Sequence, residues 1–403
     1  MSLPATAELD RWARTAALLA SLPASVVADR LPGRLVADTV ALRDGTDLPP
    51  RLVVLAAGPG DAERLLRLWY PVDEQPLAAG PVRITLAPAG EPASFRPSDG
   101  DHELLAALGP QAGTLPEVAH GGFAARAAVA RRAKALRLAA ERSPGLLDGR
   151  LRRVAEATLP AGPVAAIRDH RPVVTCVSLS PHPGPGRPSP DADRTGLAPL
   201  LRMELLDADG LVVVLDYADV VSTGAAARHG DARIAGLGPW ARLGLARLGA
   251  GRVTVAVDGV HHSRSTAENR RDWIVQQVRR KLGGADLSIV EISSAHAVEA
   301  GTRWPETGVP ALTDRLFGGW AADRRAAAAE GVRHRLDRAV ADLGSWCDRV
   351  LALADPPGTP LDAAVALDPD YVRTREAWLL ARGAAPLLRA VAQRSSVSTG
   401  ETP

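Results

Sequence analysis

The chain has too few cysteines to carry a framework of its own. Cys176 and Cys347 are the only two in 403 residues and lie 171 positions apart, which excludes a disulfide scaffold or a zinc knuckle. Each sits in an apolar run, strand-like for Cys176 and helical for Cys347, so both read as core residues. Lysine is nearly missing as well: Lys134 and Lys281 are the only two, and arginine supplies the rest of the positive charge. Aromatics make up 3%, so any core must be built from Ala, Leu and Val. The formal net charge of +2 gives no global field to draw the chain onto nucleic acid or anionic lipid. No stretch approaches the ~20 uninterrupted apolar residues of a membrane span. The N-terminal segment carries Glu8, Asp10, Arg11 and Arg14 in place of a basic-then-apolar leader, so a cytoplasmic protein is expected.

What is there is 46% apolar and long enough for two or three domains. Residues 7 to 47 step in helical period through Leu9, Trp12, Ala16 and Leu19, broken near Pro23 and Pro32-Gly33. Six apolar runs read as strands: 52–57, 80–88, 171–179, 209–220, 252–259 and 285–295. Helices are expected at 61–70, 115–143, 197–206 and 266–282. Short buried runs alternating with helices define an α/β fold with a mainly parallel sheet covered on both faces. Beyond about residue 308 strands are no longer expected. Val332, Leu336, Val340, Leu343, Cys347 and Val350 form a coiled-coil-like seam, a last helix is expected near 370–392, and a frayed tail follows.

One stretch carries the functional question. Residues 51–69, RLVVLAAGPGDAERLLRLW, place an apolar run before Gly58 and Gly60 and a helical pattern after them. Strand, glycine-rich turn and helix is the layout of a phosphate cradle. The position that should hold a lysine holds Asp61, and the next holds Ala62. A plainer reading gives the glycines a steric role in a tight turn.

The order of elements is similar to that of the GTPase domain of bacterial dynamin-like proteins, over roughly residues 50–350. The resemblance rests on a loop after the first strand, a proline-rich loop after the third, a strand after LLDADG, a strand ending in Asp258 and a strand ending in Ser293-Ser294-Ala295. It implies a P-loop-type sheet and, in an intact member, GTP and Mg²⁺. Carried over residue by residue, the Gly-Lys-Ser/Thr motif falls on Gly60-Asp61-Ala62, and the switch threonine falls near Ala78-Ala79. Asp-Thr-Pro-Gly falls on residues 181–184, keeping Pro183 and Gly184. Asn-Lys-x-Asp keeps only Asp258, and the base-contacting Ser-Ala falls on Ser294-Ala295. The phosphate and metal chemistry is therefore missing. A carboxylate ~4 Å from a phosphate oxygen repels it by ~1–4 kcal/mol at surface dielectrics. Asp258 is left as a residual guanine contact.

Other readings are weaker. A dinucleotide fingerprint over Gly58, Gly60 and Glu63 lacks its third glycine, and Asp73 comes too early for the ribose acid. His261-His262 beside Asp258 has no third metal ligand at helical spacing. A serine hydrolase lacks the G-x-S-x-G elbow. The helix carrying Arg126, Arg131, Arg132, Lys134, Arg137 and Arg142 could face acidic lipid or nucleic acid, although arginine abundance and Glu141 favour a solvated face. Trp304, Trp320, Trp346 and Trp378 read as anchors of helix packing.

The expectation is a pseudo-GTPase: an α/β domain over 48–307, with helices 1–47 and 308–392 forming a bundle and 393–403 a disordered tail. No cofactor or metal is expected, and GTP with Mg²⁺ enters only under an alternative reading with a rearranged phosphate site built on Arg64 or Arg67. A protein partner is expected, an intact dynamin-like GTPase being the candidate. Peripheral membrane contact stays open and nucleic acid is disfavoured.

Overall fold

The computed structural model describes residues 4–27, 30–70, 77–88, 90–162, 164–180, 192–222, 224–260, 267–282, 287–299, 307–352 and 369–396. The described residues fall into two compact units, one from Met1–Leu48 with Asp323–Pro403, the other Pro49–Ala322.

The first unit is helical. Its N-terminal segment supplies α1 (Thr6–Ala20), α2 (Ala24–Val27) and α3 (Leu35–Arg43). Leu9, Trp12, Ala16 and Leu19 of α1 are buried, as their spacing predicts. Its other helices come from the far end of the chain.

The second unit holds a nine-stranded sheet. Its strands are β1 (Arg51–Ala56), β2 (Val82–Leu86), β3 (Ser94–Arg96), β4 (Ala119–His120), β5 (Ala155–Leu159), β6 (Val173–Ser178), β7 (Gly210–Asp216), β8 (Val253–Asp258) and β9 (Ser288–Ile292). Their spatial order is β4-β3-β5-β2-β6-β1-β7-β8-β9. From β6 to β9 every pairing is parallel, and β2 pairs parallel with β5. The β2–β6, β3–β5 and β3–β4 pairings are antiparallel. The fold is thus α/β with a mainly parallel sheet.

Between the strands run α4 (Pro59–Trp69), α5 (Asp99–Leu108), α6 (Gly122–Arg142), α7 (Ala165–His170), α8 (Ala192–Thr195), α9 (Leu197–Asp207), α10 (Tyr217–Val221), α11 (Gly224–Leu248), α12 (Ala267–Lys281), α13 (Ser294–Glu299) and α14 (Val309–Ala322). The unit boundary places α14 with the sheet, against α7 and β9. The remaining helices, α15 (Arg324–Ala352) and α16 (Pro369–Ser396), pack together in the first unit, where the six seam residues from Val332 to Val350 are buried along α15. Arg335 of α15 donates to Asp38 of α3 at 3.0 Å, a buried pair that joins the two ends of the chain.

Helices cover both faces of the sheet. A Cβ on Gly244 of α11 would lie 2.3 Å from Leu211 of β7, so the helix rests directly on that face. Asp216, five residues along the same strand, points the opposite way by strand alternation and meets α4. All six residues of β1 and of β8 are buried, as central parallel strands require.

The structure corrects several element limits. The helix expected from residue 115 begins at Gly122, because Ala119–His120 pairs with β3. The strand expected to reach residue 220 ends at Asp216, whose carboxylate accepts from Ala218 N–H at 2.7 Å and caps α10. β3, β4 and β5 were not legible: they are short and carry Ser, Arg, His, Glu and Thr among few apolar residues.

Candidate functional site

The carboxyl ends of parallel strands are where α/β sheets gather ligands, and here four aspartates gather there instead. β1 ends at Ala56, and α4 begins at Pro59 with Gly58 as its N-cap. Proline at the first helical position is pre-set for the helix. Only Ala57 and Gly58 therefore connect strand to helix, and Gly60 and Asp61 belong to the first helical turn. In the register of a G-x-x-x-x-G-K loop ending on Gly60, the first glycine falls on Leu55, inside β1. No loop remains to wrap a phosphate. The steric reading of the glycines is corrected as well. Gly58 has an extended backbone with φ −138°, open to any residue, and a Cβ on Gly60 would meet nothing within 4 Å.

Asp61 is buried at the head of α4, and two arginines hold it. Arg64, one turn along the helix, approaches it at 3.1 Å, and Arg233 of α11 donates to it at 2.5 Å. Arg64 also donates to Asp216 at 2.6 Å and to Asp258 at 2.9 Å. Arg233 meets Asp219 of α10 at 2.6 Å. Lys281, at the end of α12, continues the chain of contacts to the Asp219 carbonyl and the Asp231 carboxylate, each at 2.7 Å. Asp216 and Asp258 stand opposite each other in register at the ends of β7 and β8, which is why one guanidinium reaches both.

Four carboxylates thus share two guanidinium groups, a formal excess of two negative charges. Burial raises the Asp61 carboxyl above its ordinary range, against Arg233 and Arg64, which lower it, and with Asp216 and Asp219, which add to the rise. Burial pulls the Arg64 guanidinium down, but Asp61, Asp216 and Asp258 together push it above its usual value. Both arginines are tied to carboxylates, and the cluster repels rather than attracts a polyanion.

Asp258 has no capacity left for a base. Its Oδ1 accepts from Gly259 N–H at 2.8 Å and Ser294 N–H at 2.9 Å. Its Oδ2 accepts from the Ser294 hydroxyl at 2.6 Å and from Arg64. A carboxylate offers about four lone-pair sites, and all are filled. The structure does bring Asp258 and Ser294 together, but they satisfy each other. Ala295, the second half of that motif, is exposed.

Glu63, two residues after Asp61 and so on the opposite side of the helix, is also buried and accepts from Ala78 N–H at 3.3 Å. The place expected for a switch threonine is therefore a backbone segment, buried Ala78-Ala79, tied to α4 by a carboxylate. Burial pushes the Glu63 carboxyl up to about 7, against the Ala78 hydrogen bond and Arg67, which lower it. Cys176 lies inside the sheet, its thiol raised by burial, and Cys347 is buried too.

Pro183, Gly184, His261, His262 and Trp304 lie outside the described residues. Among the described residues no group of three or more His, Cys, Asp or Glu is placed to hold a metal ion. No helix among the described residues is long and apolar enough to cross a membrane. The basic helix is corrected at Arg132, which points inward: it donates to Asp101 and to the Pro81 carbonyl, each at 2.8 Å. Sequence reading missed Asp216, Asp219 and Arg233. Asp258 was visible as a strand end, but Asp216 was read inside a strand running to residue 220, and Arg233 lies in a glycine-rich helix that also contains Pro239 and gives no clear period.

No family model matches the chain, and no curated protein matches it. Solved structures do, among them two described as an oligomerised bacterial dynamin pair providing a mechanism for long-range sensing and tethering of membranes. One is 9% identical with a TM-score of 0.43 and covers 84% of this chain and 55% of its own. The other is 10% identical with a TM-score of 0.43 and covers 97% of this chain and 52% of its own. The chain thus spans about half the length of the structures it matches.

Proposed function

We propose that this chain is a pseudo-GTPase of the bacterial dynamin-like kind, a non-catalytic protein that acts by contact with another protein. One observation carries this reading: Asp61 and its partners fill the strand ends with internal ion pairs where an active member would hold a nucleotide. GTP and Mg²⁺ do not fit such a cluster, because phosphates would have to displace carboxylates from both arginines. The rearranged-site alternative has Arg64 or Arg67 in place of the lysine. Arg64 already serves three aspartates. Arg67 is exposed and lies ~9 Å further along the helix from Asp61. The partner class follows from the resemblance: an intact dynamin-like GTPase, whose turnover this chain would regulate through its own GTPase-like face.

Isothermal titration with GTP, GDP and ATP in Mg²⁺ should give no binding heat. Micromolar binding accompanied by steady hydrolysis defeats the proposal. The partner claim is tested separately, by co-purifying the chain with an intact dynamin-like GTPase from the same cell and comparing that enzyme's turnover with and without the chain. An unchanged rate and no complex would remove it.

A further inference from the structure

We infer that the outward face of α6 is a docking surface for an anionic lipid bilayer. The inference is independent of the strand-end cluster and of the nucleotide reading. Phe123, in the first turn of α6, is 82% exposed. The other exposed large apolar side chains among the described residues, Leu18 at 40% and Leu379 at 52%, are much less so. At 100° per residue, Phe123, Arg126, Ala127, Ala130, Lys134 and Arg137 fall within ~100° of one another. They form a strip ~21 Å long from Phe123 to Arg137. Lys134 and Arg137 are exposed on it. Arg131 and Arg142 flank it, tethered at the Thr114 carbonyl and near Gln111. Glu141 lies one turn beyond Arg137 and is itself engaged. The inward arginine, Arg132, belongs to the core and leaves the strip to the residues named.

The occupant follows from the shape of this face. Its charge complements a surface of acidic headgroups. The exposed residues of α6 around the ring are Gly122, Ala124, Arg126 and Ala127, so no second large apolar side chain of the helix stands beside it. A rigid protein partner gains from an aromatic anchor only when it brings a pocket to fit it. A bilayer interface takes a lone ring at headgroup depth while cations remain above it.

The test is co-sedimentation of the full chain with vesicles of phosphatidylcholine alone or with about one third phosphatidylserine. Binding should appear only with the anionic vesicles and weaken by about tenfold or more as salt is raised well above physiological strength. Lys134→Glu with Arg137→Glu should abolish it, and Phe123→Ala should reduce it by about threefold to tenfold. These positions are exposed, so an unchanged melting curve will show that the variants fold. Arg271→Glu, on the exposed side of α12, should leave binding intact. Equal loss in Arg271→Glu, binding to neutral vesicles, or capture by polyglutamate or heparin without vesicle binding would each overturn the inference.

Discussion

Arg132 and Arg64 both reach from a helix towards carboxylates of the sheet unit, yet they are held in different ways. Arg132 is 2% exposed and meets one carboxylate, Asp101, one carbonyl, Pro81, and the face of Phe95 at 5.9 Å. Asp101 in turn accepts from Ser98 N–H and hydroxyl at 2.7 and 2.8 Å, closing a capping box. Charge is balanced one to one and the groups are satisfied by neighbours in the core. Arg64 is about a third exposed and serves three aspartates, in a cluster with more negative than positive charge. The first is a clamp that fixes where β2 and α5 sit. The second ties the ends of β7 and β8 to the head of α4, and it stands at the edge of solvent. A buried charge is retained for packing only when its surroundings complete it.

The largest expected effect tests the clamp. Arg132→Ala removes a guanidinium from a dry site and leaves Asp101 unpaired, which should destabilise the sheet unit by about 3–5 kcal/mol in urea unfolding. A loss under about 1 kcal/mol would erase the distinction drawn between the two arginines. Next comes Asp258→Ala, which leaves Arg64 short of one partner and strips acceptors from Ser294 and Gly259. It should lose about 2–4 kcal/mol and speed hydrogen exchange at the β9–α13 junction.

Glu63 gives a pH test. Its folded-state value is near 7, above the ordinary 4.5, so between those limits the folded chain holds a proton that the unfolded chain has released. Its contribution is present below the ordinary value and lost as pH rises through 7. Glu63→Gln should flatten that decline, with a gain of about 2 kcal/mol at pH 8 after allowing for solvent screening. Parallel pH–stability curves for the two proteins would show that Glu63 does not titrate as described. Arg64→Met comes below these: it leaves buried Asp258 short of a cation, but Arg64 is about a third exposed and Arg233 still holds Asp61, so the loss should be about 1–2 kcal/mol. The paired substitution Asp61→Lys with Ala62→Ser should still bind no GTP, because the two-residue connection before α4 leaves no loop to surround a phosphate. Tight GTP binding by that variant would shift the explanation from loop length to charge alone.

The amino-acid sequence determined the central layer of this protein. β1, β7 and β8 are continuous apolar runs because both their faces are buried, and such runs are visible without coordinates. The same holds for the seam of α15, whose period of three and four records a single buried stripe. That Asp61 and Ala62 follow Gly60, where a phosphate cradle carries lysine and a hydroxyl, was also plain in the letters. Pro59 was a further signal, since proline after a cap marks the first residue of a helix and so the end of the connection.

Only the tertiary structure decided what surrounds Asp61. Arg233 stands 172 positions from the aspartate it holds, and Asp258 stands 194 from Arg64, so no local pattern links them. The outer strands were hidden for a related reason. β3, β4 and β5 are short, and their pairing is set by neighbours far along the chain rather than by a strong period of their own. Periodicity records which side of an element is dry, whereas ion pairs and edge strands are chosen by whichever distant segments the fold brings within reach.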